Sequence, residues 1–122
     1  MSWFRKTKKQ VQIEKELRKD IRSIFEQKKQ ELGVDATLDL KFLNFTPIEN
    51  EPIYGEAFPE EKRINIEVFA PDATKKDLTK TICEELLHIK YPQMLEHTQR
   101  FWGMVGACMK RRPIKKETKK RI

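Results

Sequence analysis

The 122-residue sequence has few of the residues that mark several common classes of protein. It contains only 4 glycines, which excludes a glycine-rich phosphate-binding loop. No run of about 18 apolar residues is present, so we expect no membrane partner. The segment 1–10 lacks the apolar stretch of a secretory signal. Cys83 and Cys108 are too few for a disulfide scaffold, and we interpret them as reduced thiols of a cytoplasmic protein.

Charge, by contrast, is abundant and unevenly distributed. Charged residues make up 37% of the chain, and the formal net charge is +7. The segment 110–122 holds eight basic residues against one acidic residue, so it alone carries +7, and residues 1–109 are neutral. We therefore predict one domain over 1–109 and a basic tail over 110–122. Such a tail is usually a solvated terminus. The alternatives are an electrostatic contact with nucleic acid or a segment that folds back over an acidic cleft.

The hydrophobic pattern predicts an α+β fold. Apolar residues recur at helical spacing before Gly33, then alternate with polar residues, and finally return to helical spacing. The predicted order is an N-terminal helix, a small and mostly antiparallel sheet, and two further helices. The predicted helices are 10–32, 74–90 (ended by Pro92) and 98–109, and the predicted strands are 38–42, 53–58 and 64–69, the last two forming a hairpin. We expect Phe101, Trp102, Val105 and Met109 of the last helix to lie in the core.

The segment 81–92, TICEELLHIKYP, carries the clearest chemical pattern. Glu84 and His88 are four residues apart, so on a helix they project from one face, where both can bind one metal ion. Glu85 lies beside them, where a carboxylate could take a proton from an activated water. The layout is that of the zincin helix His-Glu-x-x-His, with Glu84 in place of the first histidine. A charged amphipathic helix in a Glu-rich chain can also contain this pentapeptide by chance.

The second histidine of the chain favours the metal interpretation. His88 and His97 are the only 2 histidines, and they lie within ten residues of each other. Pro92 ends the helix between them, so His97 is expected at the start of the next element. Tetrahedral zinc in a catalytic site takes three protein ligands and leaves a fourth position for water. We therefore predict a Zn²⁺ site formed by Glu84, His88 and His97.

The segments 85–92 and 97–102 resemble the small zinc metallopeptidase domains of the SprT, WLM and YgjP-like group and of the minigluzincins. Those families have a His-Glu-Leu-x-His helix, often continued as His-Leu-Lys-Tyr-Pro. A His-Ser/Gly-x-x-Phe-Trp segment then opens the following helix. The resemblance implies a compact zincin-like fold, zinc as the cofactor and peptides or unstructured proteins as substrates. It also implies that the strand 64–68 pairs with an extended peptide by edge addition.

The resemblance also implies a role for each site residue. Glu85 matches the general base, His88 the second metal ligand and His97 the third. Glu84 replaces the first ligand with a carboxylate, which makes zinc a weaker Lewis acid and removes the hydrogen bond that orients an imidazole. In minigluzincins the third ligand is a glutamate, so Glu96 is an alternative to His97. The expected function is a weak or latent metallopeptidase, which the tail could inhibit by covering the cleft.

Two other functions remain open at this point. One is a catalytically inactive zincin-fold protein whose basic tail binds nucleic acid or protein. The other is a general α+β interaction domain.

Overall fold

The computed structural model describes residues 7–42, 52–70, 72–94 and 97–110. The α+β prediction is confirmed, and each main element begins and ends within two residues of its predicted bounds. A short 3₁₀ turn, Pro59–Glu61, joins the second and third strands. The elements are α1 (Lys8–Leu32), β1 (Thr37–Phe42), β2 (Ile53–Phe58), β3 (Arg63–Val68), α2 (Lys75–Lys90) and α3 (Gln99–Lys110). The predictions for Glu96 and for residues 111–122 fall outside the described residues.

Local hydrogen bonds and one backbone conformation explain where the helices begin and end. Gly33 ends α1 with a φ of 64°, a left-handed conformation that glycine adopts without steric cost. The side chain of Thr74 accepts a hydrogen bond from the Asp77 backbone N–H at 3.1 Å and caps α2. The Thr98 hydroxyl does the same for α3, accepting from the Phe101 N–H at 3.2 Å. α2 ends at Lys90, where the Tyr91 backbone N–H donates to the Leu87 carbonyl, and α3 begins after Thr98, so His97 lies between the two helices.

The three-stranded sheet is mixed, with the strand order β1-β3-β2. β3 is parallel to β1 and antiparallel to β2, so the predicted hairpin is present but the prediction of a mostly antiparallel sheet is wrong. Alternating apolar residues identify strands without identifying their neighbours, and here the chain crosses to the far edge before it returns to the middle. Because β3 is the central strand, its backbone is already paired on both sides. The predicted edge addition of a peptide to 64–68 is therefore wrong.

The main core lies between one face of the sheet and helices α1 and α2. Burying one large aliphatic side chain contributes about 1.5–3 kcal/mol, so this layer supplies much of the stability. The apolar side chains of this layer that are essentially inaccessible to solvent include Ile21, Ile64, Ile66, Leu78, Ile82 and Leu86. α3 packs against α2 in a smaller cluster that contains Phe101 and Val105. Trp102 is 40% exposed, so its predicted core position is wrong: it projects about 100° around the helix from Phe101.

Cys83 and Cys108 form a disulfide that joins α2 to α3, so the prediction of reduced thiols is wrong. Their Cα atoms lie 6.1 Å apart, within the range that a disulfide spans. The sequence could not reveal this pairing, because it depends on the packing of two helices whose cysteines are 25 residues apart. The bond fastens the helix that begins after His97 to the helix that carries His88. Among the described residues, no helix has the length and apolar character needed to cross a membrane.

Candidate metal centre

His88 and His97 face each other across the turn between α2 and α3. Their Nε2 atoms lie 3.1 Å apart, and their ring centroids are separated by 5.2 Å. His88 belongs to the last turn of α2, whereas His97 immediately precedes Thr98, the residue that caps α3. We refer to these two side chains as the imidazole pair. The break in the helix near Pro92 is what allows residues from consecutive elements to converge.

Both rings of the imidazole pair rest on the same aromatic side chain. Phe101, which is fully buried, stacks on His88 with centroids 4.7 Å apart and on His97 with centroids 4.9 Å apart. The exposed ring of Trp102 meets the His97 ring edge-on, with the ring centroids 5.0 Å apart. Because Phe101 is held in the cluster between α2 and α3, it orients both imidazoles at once. This explains the Phe-Trp pair that follows His97 in the sequence: one ring supports the site and the other borders it.

The environment of His88 favours its neutral form. Burial lowers the pKa of His88, and the neighbouring His97 lowers it further, while a hydrogen bond with the Met94 backbone acts in the opposite direction. A neutral imidazole keeps a lone pair for a metal ion. A histidine that binds a metal through one ring nitrogen usually donates a hydrogen bond from the other to a backbone carbonyl, and this bond fixes the orientation of the ring. His88 therefore has the protonation state and the support that a metal ligand requires.

Glu85 lies in a partly buried position between α2 and the edge strand β2. Burial, together with the negative charges of Glu84 and Glu56, raises the pKa of Glu85 to about 7. Gly55 of β2 makes room for this arrangement. A Cβ atom at position 55 would lie 2.6 Å from the Thr81 Cγ2 atom and 2.9 Å from the Glu85 Oε2 atom. The missing side chain thus allows the Glu85 carboxylate to lie against the strand.

Glu84, the predicted first ligand, has a different environment. Burial raises its pKa, whereas the positive charge of Lys80 and interaction with His97 lower it. Within residues 7–42, 52–70, 72–94 and 97–110, no three His, Cys, Asp or Glu side chains form a group that could hold one metal ion. The structure therefore brings His88 and His97 together and leaves the ligand set Glu84, His88 and His97 a prediction. Glu96, the alternative ligand, lies outside the described residues.

Two contributions to the site were not recognised in the sequence, and both come from β2. Gly55 provides the space for Glu85, and Glu56 lies close enough to influence its charge. The strand itself was predicted, but the pattern Ile-Tyr-Gly-Glu contains no sign of which helix it faces. A glycine inside a strand does indicate a close approach of another group, and that was the available signal.

The donor atoms of the imidazole pair suit zinc in type and spacing. Two ligands with bonds of about 2.0–2.1 Å at tetrahedral angles lie about 3.3 Å apart, close to the 3.1 Å between the two Nε2 atoms. The pair thus fits two positions of a metal site, and a third remains to be identified. Comparison of the chain with protein-family models, with curated proteins and with solved structures gave no match.

Proposed function

We propose that this chain is a zincin-like, zinc-dependent metallopeptidase of weak or latent activity. The observation that carries the proposal is the imidazole pair, whose Nε2 atoms are 3.1 Å apart. Glu85 lies on α2, the helix that also carries His88. His88 and His97 would bind the metal, and Glu84 is the proposed third ligand. The substrate class is a peptide or an unstructured protein, as the resemblance of 85–92 and 97–102 to the zincin segments implies.

The roles of the zinc ion and of Glu85 follow from their charges. Zinc, when bound, supplies a Lewis acid that activates water and polarises the scissile carbonyl. Glu85 is suited to accept a proton and return it to the leaving amine, because its raised pKa of about 7 lies near neutral pH. A carboxylate at position 84 in place of histidine explains why we propose weak or latent activity.

The decisive experiment measures metal content and peptidase activity in the same preparations. We expect the purified protein to bind about one equivalent of zinc and to cleave casein slowly. His88→Ala and His97→Ala should each lose the metal, because each removes one nitrogen of the pair. Gln93→Ala, an exposed residue of the same turn, is the matched control and should retain it. A chain that binds no zinc even at millimolar concentration would overturn the proposal.

A second function is favoured by the charge of residues 110–122, which carry the whole formal net charge of +7. In this alternative the chain keeps a zincin-like fold without catalysis, and the basic segment 110–122 binds nucleic acid or another protein. Its signature is DNA binding that weakens steeply with added salt, because each Lys or Arg that contacts a phosphate releases a counterion. Binding of DNA without binding of zinc would favour this alternative over the peptidase.

The cellular location is a separate part of the proposal. The cytoplasmic location expected from the sequence requires Cys83 and Cys108 to be reduced, since disulfides are rare in reducing compartments. The disulfide between them instead favours an oxidising compartment. Alkylation of free thiols in intact cells, followed by mass spectrometry, distinguishes the two: labelled Cys83 and Cys108 indicate the cytoplasm, and an unlabelled pair indicates an oxidising compartment.

A further inference from the structure

α2 and α3 are joined at two separate places, one of them covalent and the other at the candidate metal centre. The disulfide links Cys83 to Cys108, and the Phe101 ring stacks on His88 with centroids 4.7 Å apart. His88 lies five residues after Cys83 along α2, whereas Phe101 lies seven residues before Cys108 along α3. At the usual helical rise these intervals are about 7.5 Å and about 10.5 Å. The disulfide is therefore about two helical turns from the imidazole pair, on the same pair of helices.

Both connections belong to one small apolar cluster between α2 and α3. Its buried members are Cys83, Leu87, Phe101, Val105 and Cys108. The three that come from α3 are spaced by four and three residues, so they lie along one face of that helix. Within the described part of the chain, α3 contacts mainly α2. The position of the α3 face that supports the imidazole pair therefore depends on this cluster and on the disulfide inside it.

The disulfide is closed to solvent. Cys83 is 0% exposed and Cys108 is 2% exposed. A thiol reduces a disulfide by direct attack on one of its sulfur atoms, so it has to reach that atom. In this structure it can do so only after the face of α3 that carries Cys108 has moved away from α2. Because Phe101 lies on the same face, that movement also takes Phe101 away from His88.

We propose that the Cys83–Cys108 disulfide is a redox control of the candidate metal centre: the bond strengthens zinc binding by the imidazole pair, and bound zinc protects the bond from reduction. This regulation rests on the zinc binding of the proposed function. Reduction consumes two molecules of a small thiol, which leave as their own disulfide, and supplies two electrons and two protons to the two cysteines. Without the bond α3 is held less firmly, so fewer molecules have both Nε2 atoms in place. The apparent zinc affinity falls by that fraction.

The coupling acts in both directions. Zinc that bridges His88 and His97 holds the start of α3 against the end of α2, so it opposes the movement that exposes the sulfur atoms. The two equilibria are linked thermodynamically. The factor by which the bond lowers the zinc dissociation constant therefore equals the factor by which zinc shifts the thiol–disulfide equilibrium toward the bond. We expect a factor of about 5 to 150, the usual range for coupling between two sites.

The first test follows reduction of the unmodified, full-length chain by glutathione, with the free zinc concentration fixed by a chelator buffer. Samples are alkylated at intervals, and the modified cysteines are counted by mass spectrometry. Zinc at about ten times its dissociation constant should slow the reduction by about five- to tenfold, because only the zinc-free molecules open. His97→Ala should abolish this effect of zinc. Gln93→Ala, an exposed residue of the same turn, is the matched control and should preserve it.

The second test compares the zinc affinity of the oxidised chain with that of the double variant Cys83→Ser, Cys108→Ser. The double variant has neither the bond nor a thiol that could itself bind zinc, and its dissociation constant should be about 5 to 150 times higher. A dissociation constant that is unchanged or lower in the folded double variant would overturn the redox control. Equal reduction rates of the unmodified chain with and without bound zinc would also overturn it, and that measurement needs no variant that could fail to fold.

Casein cleavage separates this proposal from the proposed function. Zinc-dependent cleavage by a chain that shows no coupling between zinc and the disulfide would contradict the redox control and leave the peptidase intact. Coupling in a chain that binds zinc but cleaves nothing would contradict the peptidase and leave the redox control intact.

Discussion

The Nε2 atoms of His88 and His97 lie 3.1 Å apart, although His88 belongs to α2 and His97 precedes α3, nine residues further along the chain. At this distance one neutral ring can donate a hydrogen bond and the other can accept it. A metal ion would instead accept the lone pairs of both nitrogens. Phe101 stacks on both rings and holds them in the positions that either state needs. The imidazole pair is therefore the natural starting point for experiments on this site.

Replacing Glu84 with histidine should strengthen metal binding. The substitution restores the His-Glu-x-x-His pattern and gives zinc a third neutral nitrogen ligand. No carboxylate at position 84 then offsets the positive charge of the zinc ion. We expect Glu84→His to lower the dissociation constant for zinc by about tenfold or more and to raise casein cleavage. Competition with a chromogenic chelator measures the affinity. Glu84→Gln, which keeps the size of the side chain and removes its charge, is the control. Equal affinity in Glu84→His and the unmodified protein would show that position 84 does not bind the metal.

Glu85 should make the metal-free protein less stable as the pH rises. The ordinary pKa of a glutamate is 4.5, and in the folded protein that of Glu85 is about 7. Between these values the unfolded chain loses a proton that the folded protein keeps, so the unfolded state binds fewer protons and the free energy of unfolding falls. The loss is complete above pH 7 and absent below pH 4.5.

Glu85→Gln removes this titration and should stabilise the protein at pH 8 relative to pH 5. We expect Glu85→Gln to raise the free energy of unfolding by about 2 kcal/mol more at pH 8 than at pH 5, a figure reduced to account for the partial solvent access of Glu85. Urea unfolding in the presence of EDTA at both pH values measures it. The same effect of the substitution at pH 5 and pH 8 would contradict the raised pKa.

Gly55 should tolerate no side chain. A Cβ atom there would approach the Thr81 Cγ2 atom to 2.6 Å and the Glu85 side chain to 2.9 Å, so β2 and α2 would have to separate. We expect Gly55→Ala to lower the free energy of unfolding by about 1–3 kcal/mol and to impair any peptidase activity. Gly106→Ala is a matched control, because a Cβ at Gly106 meets nothing within 4 Å and helices favour alanine. If Gly55→Ala proved as stable as the control, the contact between β2 and α2 would be wrong.

The Cys83–Cys108 disulfide should contribute measurably to stability. It closes a loop between residues 25 positions apart, and a cross-link of that length reduces the entropy of the unfolded chain by about 3 kcal/mol in free energy at 25 °C. The double variant Cys83→Ser, Cys108→Ser should lose roughly that amount in urea unfolding without a reductant. Mass spectrometry of the unmodified protein after alkylation provides the direct check. Two alkylated cysteines in protein purified without reductant would contradict the bond.

The elements of this protein could be predicted from the sequence more completely than their arrangement. Helical spacing, strand alternation and the signals at Gly33, Thr74 and Pro92 define the bounds, because these are local effects. The position of β3 between its neighbours and the bond between Cys83 and Cys108 depend on packing between distant segments, and no local pattern encodes them. The candidate site likewise has a part that local sequence patterns predict and a part that depends on packing between distant segments.

The local part of the site was accessible from the sequence, and the rest was not. Helix spacing and the break at Pro92 led to the expectation that His88 and His97 meet. The burial of Glu85 against Gly55 required knowledge of which strand crosses α2. The exposure of Trp102 was likewise missed, because helical spacing alone does not say which side of α3 contacts α2.

The basic tail should be dispensable for folding. α3 runs to Lys110 and is fixed without the tail: Cys108 bonds to Cys83, its carbonyl accepts a hydrogen bond from the Lys28 Nζ atom at 2.7 Å, and Phe101 is buried. Ending the chain after Met109 removes the tail 110–122 and leaves all three contacts intact. We therefore expect the melting temperature to change by no more than about 2 °C, equivalent to a few tenths of a kcal/mol for a domain of this size.

Removal of the tail should change function instead, since residues 110–122 carry the entire net charge. The candidate site holds Glu84 and Glu85, which attract basic segments. If the tail covers this site, truncation raises casein cleavage. If it binds polyanions, truncation abolishes DNA binding, and the binding of the full chain falls steeply between about 50 and 200 mM salt. Differential scanning fluorimetry, casein cleavage and DNA anisotropy on the two chains distinguish these outcomes. An unfolded truncated chain would show that the tail is structural, and unchanged activity and DNA binding would show that it is a solvated terminus.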